Sequence, residues 1–430
     1  MFEFFQNNVL PAIMAFVNTK AVRAIKDGMV YSMPLIIVGA VYLLLFQLPV
    51  ESLANFVNST GAVPFLAHGY TSTFQITALI SAIGIAYQWA KNDGFEPLSA
   101  GIISAAAFLI LIPDVIAGAG VDGADVSGLD KTWLAGQGMI GAIIAGLLVG
   151  FVYCWFLKKD IRIKMPDGVP DGVAAAFTGL IPAAVILTVA VIVYAICVTA
   201  AGQTPIELIY TFLQVPLQGI TDSLGGTIAY AMLIPLLWFF GVHGATVVGS
   251  VMSPILQANM LENAALNDAG NLTLATGHIL TEPLMTCTNA ITGSGITMGL
   301  VIYMVWFAKS AQMKQVGKLG FGSGIFNINE PILFGTPIVM NPKMLIPFVA
   351  VPTLADIGAY LLTAIGFIPL TTGVTVPWTT PPILSGFLIA GWQMALYQVV
   401  ILVGSFFIYL PFARSLDLEY YEQEKAGETA

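Results

Sequence analysis

Apolar stretches recur along nearly the whole chain, and each is about as long as a membrane-spanning helix. A helix needs roughly 20 apolar residues to cross a bilayer, so the pattern predicts an all-α polytopic membrane protein with about ten spans. The expected spans are 28–48, 70–90, 97–117, 136–157, 174–200, 225–241, 243–259, 289–308, 344–369 and 386–412.

Two further stretches have the one-sided pattern of amphipathic helices. Residues 5–27 alternate apolar and polar positions and end in cations, which is typical of a helix lying on the membrane surface. Residues 204–223 have one apolar face, interrupted by Pro216, and predict an interfacial connector between two halves of five spans. Because most polar residues at membrane depth follow residue 240, we expect 1–203 to be a dimerisation and scaffold half, and 204–430 to bind substrate.

The basic residues give the orientation of this topology. With the N-terminus inside, Lys131 is the only one of the 15 Lys and Arg residues that falls outside, so both termini are predicted to be cytoplasmic. Glu262 and Asp268 are expected in an external loop. Asp93 and Glu96 are interpreted as a solvated cytoplasmic turn.

Composition limits the functional class. The chain is 57% hydrophobic and 9% charged, which excludes a soluble globular enzyme. Its net charge of −9 argues against nucleic-acid binding. Cys154, Cys197 and Cys287 stand singly in apolar surroundings, so we expect neither a disulfide nor a metal site, and no cofactor. The N-terminal residues lack the pattern of a removable signal peptide.

The segment 320–342, GFGSGIFNINEPILFGTPIVMNP, departs from the pattern of a spanning helix. It places Asn327, Asn329 and Glu330 at membrane depth, among glycines and prolines that open the helical backbone. Hydrocarbon would leave such backbone groups unsatisfied, so the segment must be buried in protein or line a wet cavity. We therefore predict a re-entrant hairpin in which Glu330 belongs to a binding site. The alternative is a cytoplasmic loop, although its apolar residues are too many for a solvated one.

His243, in FFGVHGATVVG, is a second candidate. A lone histidine in apolar sequence is commonly a satisfied core residue. Here Gly241 and Gly244 would let the backbone approach a ligand, and the neighbouring spans are too close together for a true loop. With Glu330 as a second ionisable residue at depth, the pattern favours a shared polar site.

Two other stretches combine polar residues with helix breakers. Residues 277–295 contain Glu282 directly before a proline, followed by Asn289, and predict a second broken hairpin, with an external loop as the alternative. Residues 371–382, TTGVTVPWTTPP, offer Trp378, either as an interfacial anchor or as an aromatic face that stacks on a sugar ring.

The motifs GVHGATVVGSVMSPI, FNINEPILFGTPIVMNP and VPWTTPP resemble the membrane component, enzyme IIC, of the lactose/cellobiose (diacetylchitobiose) family of sugar phosphotransferase systems. The resemblance covers the whole chain. It implies a homodimer in the bacterial cytoplasmic membrane, with ten transmembrane helices and re-entrant hairpins, that carries a β-linked disaccharide. The sugar would be phosphorylated on entry by a phosphocysteine of enzyme IIB, with IIA and HPr upstream. No IIB domain follows the last span, so a partner chain is expected.

The resemblance makes His243 and Glu330 the sugar-contacting residues, with Asn327 and Asn329 beside the latter and Trp378 as the stacking aromatic. Carboxylate, amide and imidazole groups suit the many hydroxyls of a disaccharide. Transfer to a hydroxyl also needs a proton acceptor, for which Glu330 and His243 are both candidates.

The main alternative is a proton- or sodium-coupled secondary sugar transporter, which also uses discontinuous helices near the midplane. It would transport unmodified sugar, driven by an ion gradient. Cellobiose is the favoured substrate on family likeness alone, and whether the chain counts as an enzyme is left open.

Overall fold

The computed structural model describes residues 10–46, 51–116, 118–120, 123–166, 168–336 and 338–428. Most of them are helical, which confirms the all-α prediction. The α-helices are α1 (Leu10–Val17), α2 (Lys20–Met29), α3 (Met33–Phe46), α4 (Glu51–Ser59), α5 (Val63–Thr73), α6 (Thr77–Asn92), α7 (Pro97–Leu111), α8 (Lys131–Leu134), α9 (Met139–Lys158), α10 (Asp171–Ala201), α11 (Pro205–Ile209), α12 (Val215–Thr221), α13 (Leu224–Phe239), α14 (Gly244–Asp268), α15 (Glu282–Thr288), α16 (Met298–Trp306), α17 (Ala311–Ile325), α18 (Glu330–Gly335), α19 (Pro342–Ala364) and α20 (Leu384–Glu428). A π-helical turn, Tyr210–Gln214, joins α11 to α12, and the strands β1 (Val115–Ile116) and β2 (Val126–Ser127) pair antiparallel.

Several helices are long and apolar enough to cross a membrane. Five qualify within the described ranges, and a sixth does if Pro205–Thr221 and Leu224–Phe239 together form one broken span. The five are Lys20–Phe46, Met139–Lys158, Gly172–Ala201, Pro342–Ala364 and Leu384–Ala426. They support a multi-span membrane protein, whereas the count of ten stays a prediction.

Two helices are shorter than the spans predicted from the sequence, and the residues at their ends explain why. α7 stops at Leu111 because Ile112 precedes a proline and is extended, with ψ 163°. In the range 289–308 only Met298–Trp306 is α-helical, because the residues before it form turns in which Gly293 and Gly295 have positive φ.

The residues group into two compact units. One comprises Met1–Tyr42, Pro64–Gly219 and Ser250–Ala265, and the other comprises Leu43–Val63, Ile220–Gly249 and Leu266–Ala430. These units do not test the predicted roles of 1–203 and 204–430, which stay predictions.

Helices of the first unit pack through small residues. A Cβ at Gly84 would lie 2.2 Å from the carbonyl oxygen of Gly28, so α2 and α6 meet backbone to backbone. Such close approach is typical of membrane helices, where van der Waals packing drives association.

Asp93 at the end of α6 is not solvated, so the interpretation of its turn was wrong for this residue. Its side chain is 5% exposed, and its carboxylate pairs with Lys20 and Lys158. Burial alone would raise the pKa of Asp93, but the hydrogen bonds from the two lysines outweigh it and hold that pKa below its usual value. The acid therefore ties α2, α6 and α9 together.

Glu262 lies inside α14 rather than in an external loop, so that expectation was wrong. Its Oε1 accepts hydrogen bonds from Gln214 at 2.8 Å and Gln218 at 2.9 Å. Gln214 also donates to the Gly136 carbonyl at 2.9 Å. Hydropathy ended the predicted span too early, because these polar residues are buried against one another instead of in lipid.

Candidate functional site

The segment predicted as a hairpin forms a helix, a turn and a short helix. α17 ends at Ile325, and Asn327 then takes a left-handed conformation with φ 66°, which asparagine tolerates better than most residues. Glu330 starts α18, followed at once by a proline. Whether this unit re-enters a membrane stays a prediction.

Asn327 joins three parts of the chain. Its Oδ1 accepts the N–H of Thr292 at 2.7 Å, and its Nδ2 donates to the carbonyls of Trp378 at 2.6 Å and Thr380 at 2.9 Å. The hairpin turn therefore fixes the backbone that carries Trp378.

Asn329 also ties the hairpin to another part of the chain. Its Nδ2 donates to the Ser294 carbonyl at 2.7 Å and to Thr297 Oγ1 at 2.9 Å. A Cβ at Gly293 would lie 2.2 Å from Asn329 Cγ, so only glycine fits beside this amide. The Nδ2 groups of both asparagines are thus bonded within the protein, and their predicted contact with sugar stays untested.

Glu330 and Trp378, in contrast, present accessible side chains. Glu330 is exposed, and within the described residues its carboxylate forms no hydrogen bond or ion pair. Trp378 is 56% exposed. The bond from Asn327 to the Trp378 carbonyl brings the backbone of Trp378 to the hairpin that carries Glu330.

His243 lies in the turn between α13 and α14. Its Nδ1 accepts the backbone N–H of Thr246 at 3.2 Å and lies 3.0 Å from the Thr246 hydroxyl. The same N–H also donates to the His243 carbonyl at 3.1 Å, and its contact with Nδ1 favours the tautomer in which Nδ1 accepts and Nε2 carries the proton. His243 therefore offers a hydrogen-bond donor through Nε2. The neighbouring Gly244 serves packing, since a Cβ there would lie 2.0 Å from the Ile234 carbonyl oxygen.

Trp238 links His243 to the hairpin and was missed in the sequence. Its ring centroid lies 4.5 Å from that of His243 and 6.4 Å from that of Phe334. Phe334 follows Glu330 by four residues, so the two share one face of α18. The only sequence signal was the position of this tryptophan five residues before His243.

A backbone contact reinforces the same junction. The N–H of Met340, just after α18, donates to the Phe239 carbonyl at 2.9 Å. The end of α13 and the hairpin are therefore joined twice, through the backbone and through Trp238.

Glu282 and Asn289 lie at opposite ends of α15. Asn289 is buried, and its Nδ2 donates to Oδ2 of the fully buried Asp356 at 2.8 Å. Beside the partly exposed Glu282, the Thr281 hydroxyl lies 2.7 Å from that of Thr371, which starts the segment containing Trp378. The structure thus connects α15 to that segment and pairs Asn289 with an acid of α19.

The accessible groups suit a polyhydroxylated ligand. A carboxylate accepts from hydroxyls, an imidazole Nε2–H donates to them, and an indole face packs on the apolar face of a sugar ring. A sugar ring would use all three, because it presents donors, acceptors and C–H groups together.

The chain is similar to known proteins along nearly its whole length. The family described as "Phosphotransferase system, EIIC" matches residues 26–352. The lichenan permease IIC component of Bacillus subtilis is 35% identical over 98% of this chain and 95% of its own length. The cellobiose-specific EIIC component of Geobacillus stearothermophilus is 34% identical, over 99% and 96%. The crystal structure of ChbC, the IIC component of the N,N'-diacetylchitobiose-specific system, is 33% identical with a TM-score of 0.92, covering 98% of this chain and 99% of that one.

Proposed function

The chain belongs to the EIIC family of the phosphotransferase system, and from this premise we propose that it binds a β-linked disaccharide, with cellobiose favoured, and translocates it for phosphorylation on entry. It is a sugar permease component of the bacterial cytoplasmic membrane and works with a IIB component. The names of its relatives support the sugar class, since they include lichenan, cellobiose and diacetylchitobiose systems. They give no support to the proton- or sodium-coupled alternative.

The single observation that carries the proposed site is the junction of His243, Trp238 and Phe334, which joins the histidine turn to the helix that begins with Glu330. We assign Glu330 to accept hydroxyl hydrogen bonds and His243 to donate one. Trp378 stacks on a ring of the sugar.

The remaining predicted residues support this set. Asn327 and Asn329 hold the hairpin, because their amides bond the protein itself. Glu282 is proposed to line the site from the start of α15, and the contact between Thr281 and Thr371 favours that placement. Asn289 is proposed to belong to the site from the other end of α15, where its Nδ2 is held by Asp356.

We also propose the chemical roles of these residues. As the phosphorus–sulfur bond of the IIB phosphocysteine breaks, a phosphorus–oxygen bond forms to a sugar hydroxyl, and the thiolate leaves on IIB. The hydroxyl proton needs an acceptor. We favour Glu330 as the acceptor, because its carboxylate has no partner among the described residues, whereas Nδ1 of His243 is in contact with Thr246.

Further features of the proposal have two sources. The family resemblance implies a homodimer, ten spans with re-entrant hairpins, and IIA and HPr upstream, whereas the sequence pattern predicts contact between copies through 1–203 and cytoplasmic termini.

The test is sugar uptake by purified protein in vesicles. Labelled cellobiose is supplied with and without phosphorylated cellobiose-specific IIB inside the vesicles. We expect labelled sugar phosphate to accumulate only with the phosphorylated partner. Accumulation of unmodified cellobiose driven by a proton or sodium gradient would instead establish the transporter alternative.

A further inference from the structure

One side of α17 is exposed and combines cations with apolar residues. Lys314 and Lys318 stand one turn apart, and Leu319 beside them is 75% exposed. At the C-terminal end of the helix, Ile325 and Phe326 are also exposed, Phe326 at 51%. We call these five residues the α17 face.

The α17 face carries no acid to balance its lysines. The helix sequence, AQMKQVGKLGFGSGI, contains no Asp or Glu. Neither Lys314 nor Lys318 forms an ion pair within the described part of the chain.

Acids from α20 approach this helix but are occupied at its N-terminus. Buried Asp417 accepts the N–H groups of Lys309 at 2.8 Å and Ser310 at 2.9 Å. Glu424 accepts those of Ala311 and Gln312, both at 3.0 Å. These carboxylates satisfy free amide groups at the start of the helix, and the side chains turned outward remain cationic.

The exposed polar groups also argue against burial of the face in lipid. Gln312 and Gln315 are exposed beside the two lysines, so the first half of the outward side is polar. Charged side chains are costly in hydrocarbon. An aqueous protein surface of opposite charge is the better match.

The position of the face relative to Glu330 gives it a function. Lys318 and Ile325 are seven residues apart, about 10 Å along a helix, and Glu330 follows five residues later. A protein that buries about 800 Å² of its own surface covers a patch roughly 30 Å across. A partner seated on the α17 face would therefore reach the approach to Glu330.

We propose that the α17 face is the docking surface for phosphorylated IIB. The inference rests on the proposed function, since that function makes IIB the phosphoryl donor. Lys314 and Lys318 attract the partner that carries the anionic phosphoryl group, while Leu319, Ile325 and Phe326 supply apolar contacts.

The test measures sugar phosphorylation by the full chain in lipid-free detergent, while the concentration of phosphorylated cellobiose-specific IIB is varied. The variant is K314E/K318E. The control K91E/K159E makes the same charge change at two exposed lysines of the first unit. We expect K314E/K318E to raise the KM for phosphorylated IIB at least about tenfold and the control by less than about twofold, because charge reversal in an interface mainly slows association. Cellobiose Kd and the rate at saturating donor stay unchanged, and added salt narrows the difference between wild type and variant.

Several results would overturn the inference alone while wild-type phosphorylation stays normal. One is a KM of K314E/K318E for phosphorylated IIB no higher than that of the control, and another is a weaker affinity of the variant for cellobiose. Conversion of the variant to a monomer would show that the face is a contact between copies of the chain. A defect seen only in vesicles of anionic lipid would show that the face contacts lipid. If the wild type transfers no phosphoryl group to sugar, the proposed function itself fails, and the docking inference fails with it.

Discussion

Replacing Glu330 by glutamine tests the proposed site most directly, because it keeps the shape and removes the charge. In the described residues the Glu330 carboxylate has no protein partner. Substitution of such an exposed group should change the free energy of unfolding by no more than about 0.5 kcal/mol. Folding and oligomeric state should therefore be retained.

Sugar binding should weaken by a calculable amount. A hydrogen bond to a charged group contributes about 1.5–3 kcal/mol and a neutral one about 0.5–1.5 kcal/mol, so the difference is roughly 1–1.5 kcal/mol. That difference corresponds to about a tenfold rise in cellobiose Kd. Loss of the proton acceptor should slow phosphorylation at saturating sugar further, by about 10²–10⁴.

The assays are calorimetric or radioligand binding of cellobiose, and single-turnover phosphorylation with excess phosphorylated IIB. The matched control is Glu422→Gln, an exposed acid of α20 without a partner in the described structure. It should behave as wild type in both assays. Phosphorylation by Glu330→Gln at the wild-type rate would refute the assignment of Glu330 as proton acceptor, and unchanged affinity as well would remove it from the sugar site.

Three further substitutions test the surroundings of the site and the fold. Asn327→Asp should weaken sugar binding about tenfold or more, because it loses two donors and sets a carboxylate against the Trp378 and Thr380 carbonyls. Normal binding by this variant would show that the turn does not position Trp378. Trp378→Ala should bind more weakly than Trp378→Phe by about 1 kcal/mol, since stacking requires an aromatic face, and equal affinities would indicate an interfacial anchor. Asp93→Asn should be less stable than wild type at neutral pH, and thermal unfolding should show the gap closing as pH falls below 3.8, because a lowered pKa stabilises the folded state only while the carboxylate is ionised. A gap independent of pH would contradict the role of the Asp93 charge.

The sequence by itself determined the class of the protein and the segments that carry its candidate chemistry. Runs of apolar residues are visible without any tertiary information, because membrane insertion depends on local hydropathy. Glu330 and His243 could be identified as candidate site residues for the same reason. Ionisable groups within such runs are costly in lipid, so their presence indicates a binding role. The motifs around them also led to the family, which the comparisons confirmed.

The tertiary structure decided what each polar group bonds to. The sequence predicted that Asn327 and Asn329 contact the ligand, and the structure adds that their Nδ2 groups bond to backbone and hydroxyl groups 32 to 53 residues away along the chain. Their contact with sugar stays a prediction. The sequence offered no reason to select Trp238 among its apolar neighbours, and only the fold shows that its ring lies against those of His243 and Phe334.

Glu262 and Asp93 show the same limit outside the site. From their charge, Glu262 was predicted in an external loop and Asp93 in a solvated turn. In the structure, two glutamines donate hydrogen bonds to the buried Glu262, and two lysines form ion pairs with Asp93. Hydropathy measures the preference of a residue for water or lipid, whereas the burial of a polar group depends on partners that only folding brings within hydrogen-bonding distance.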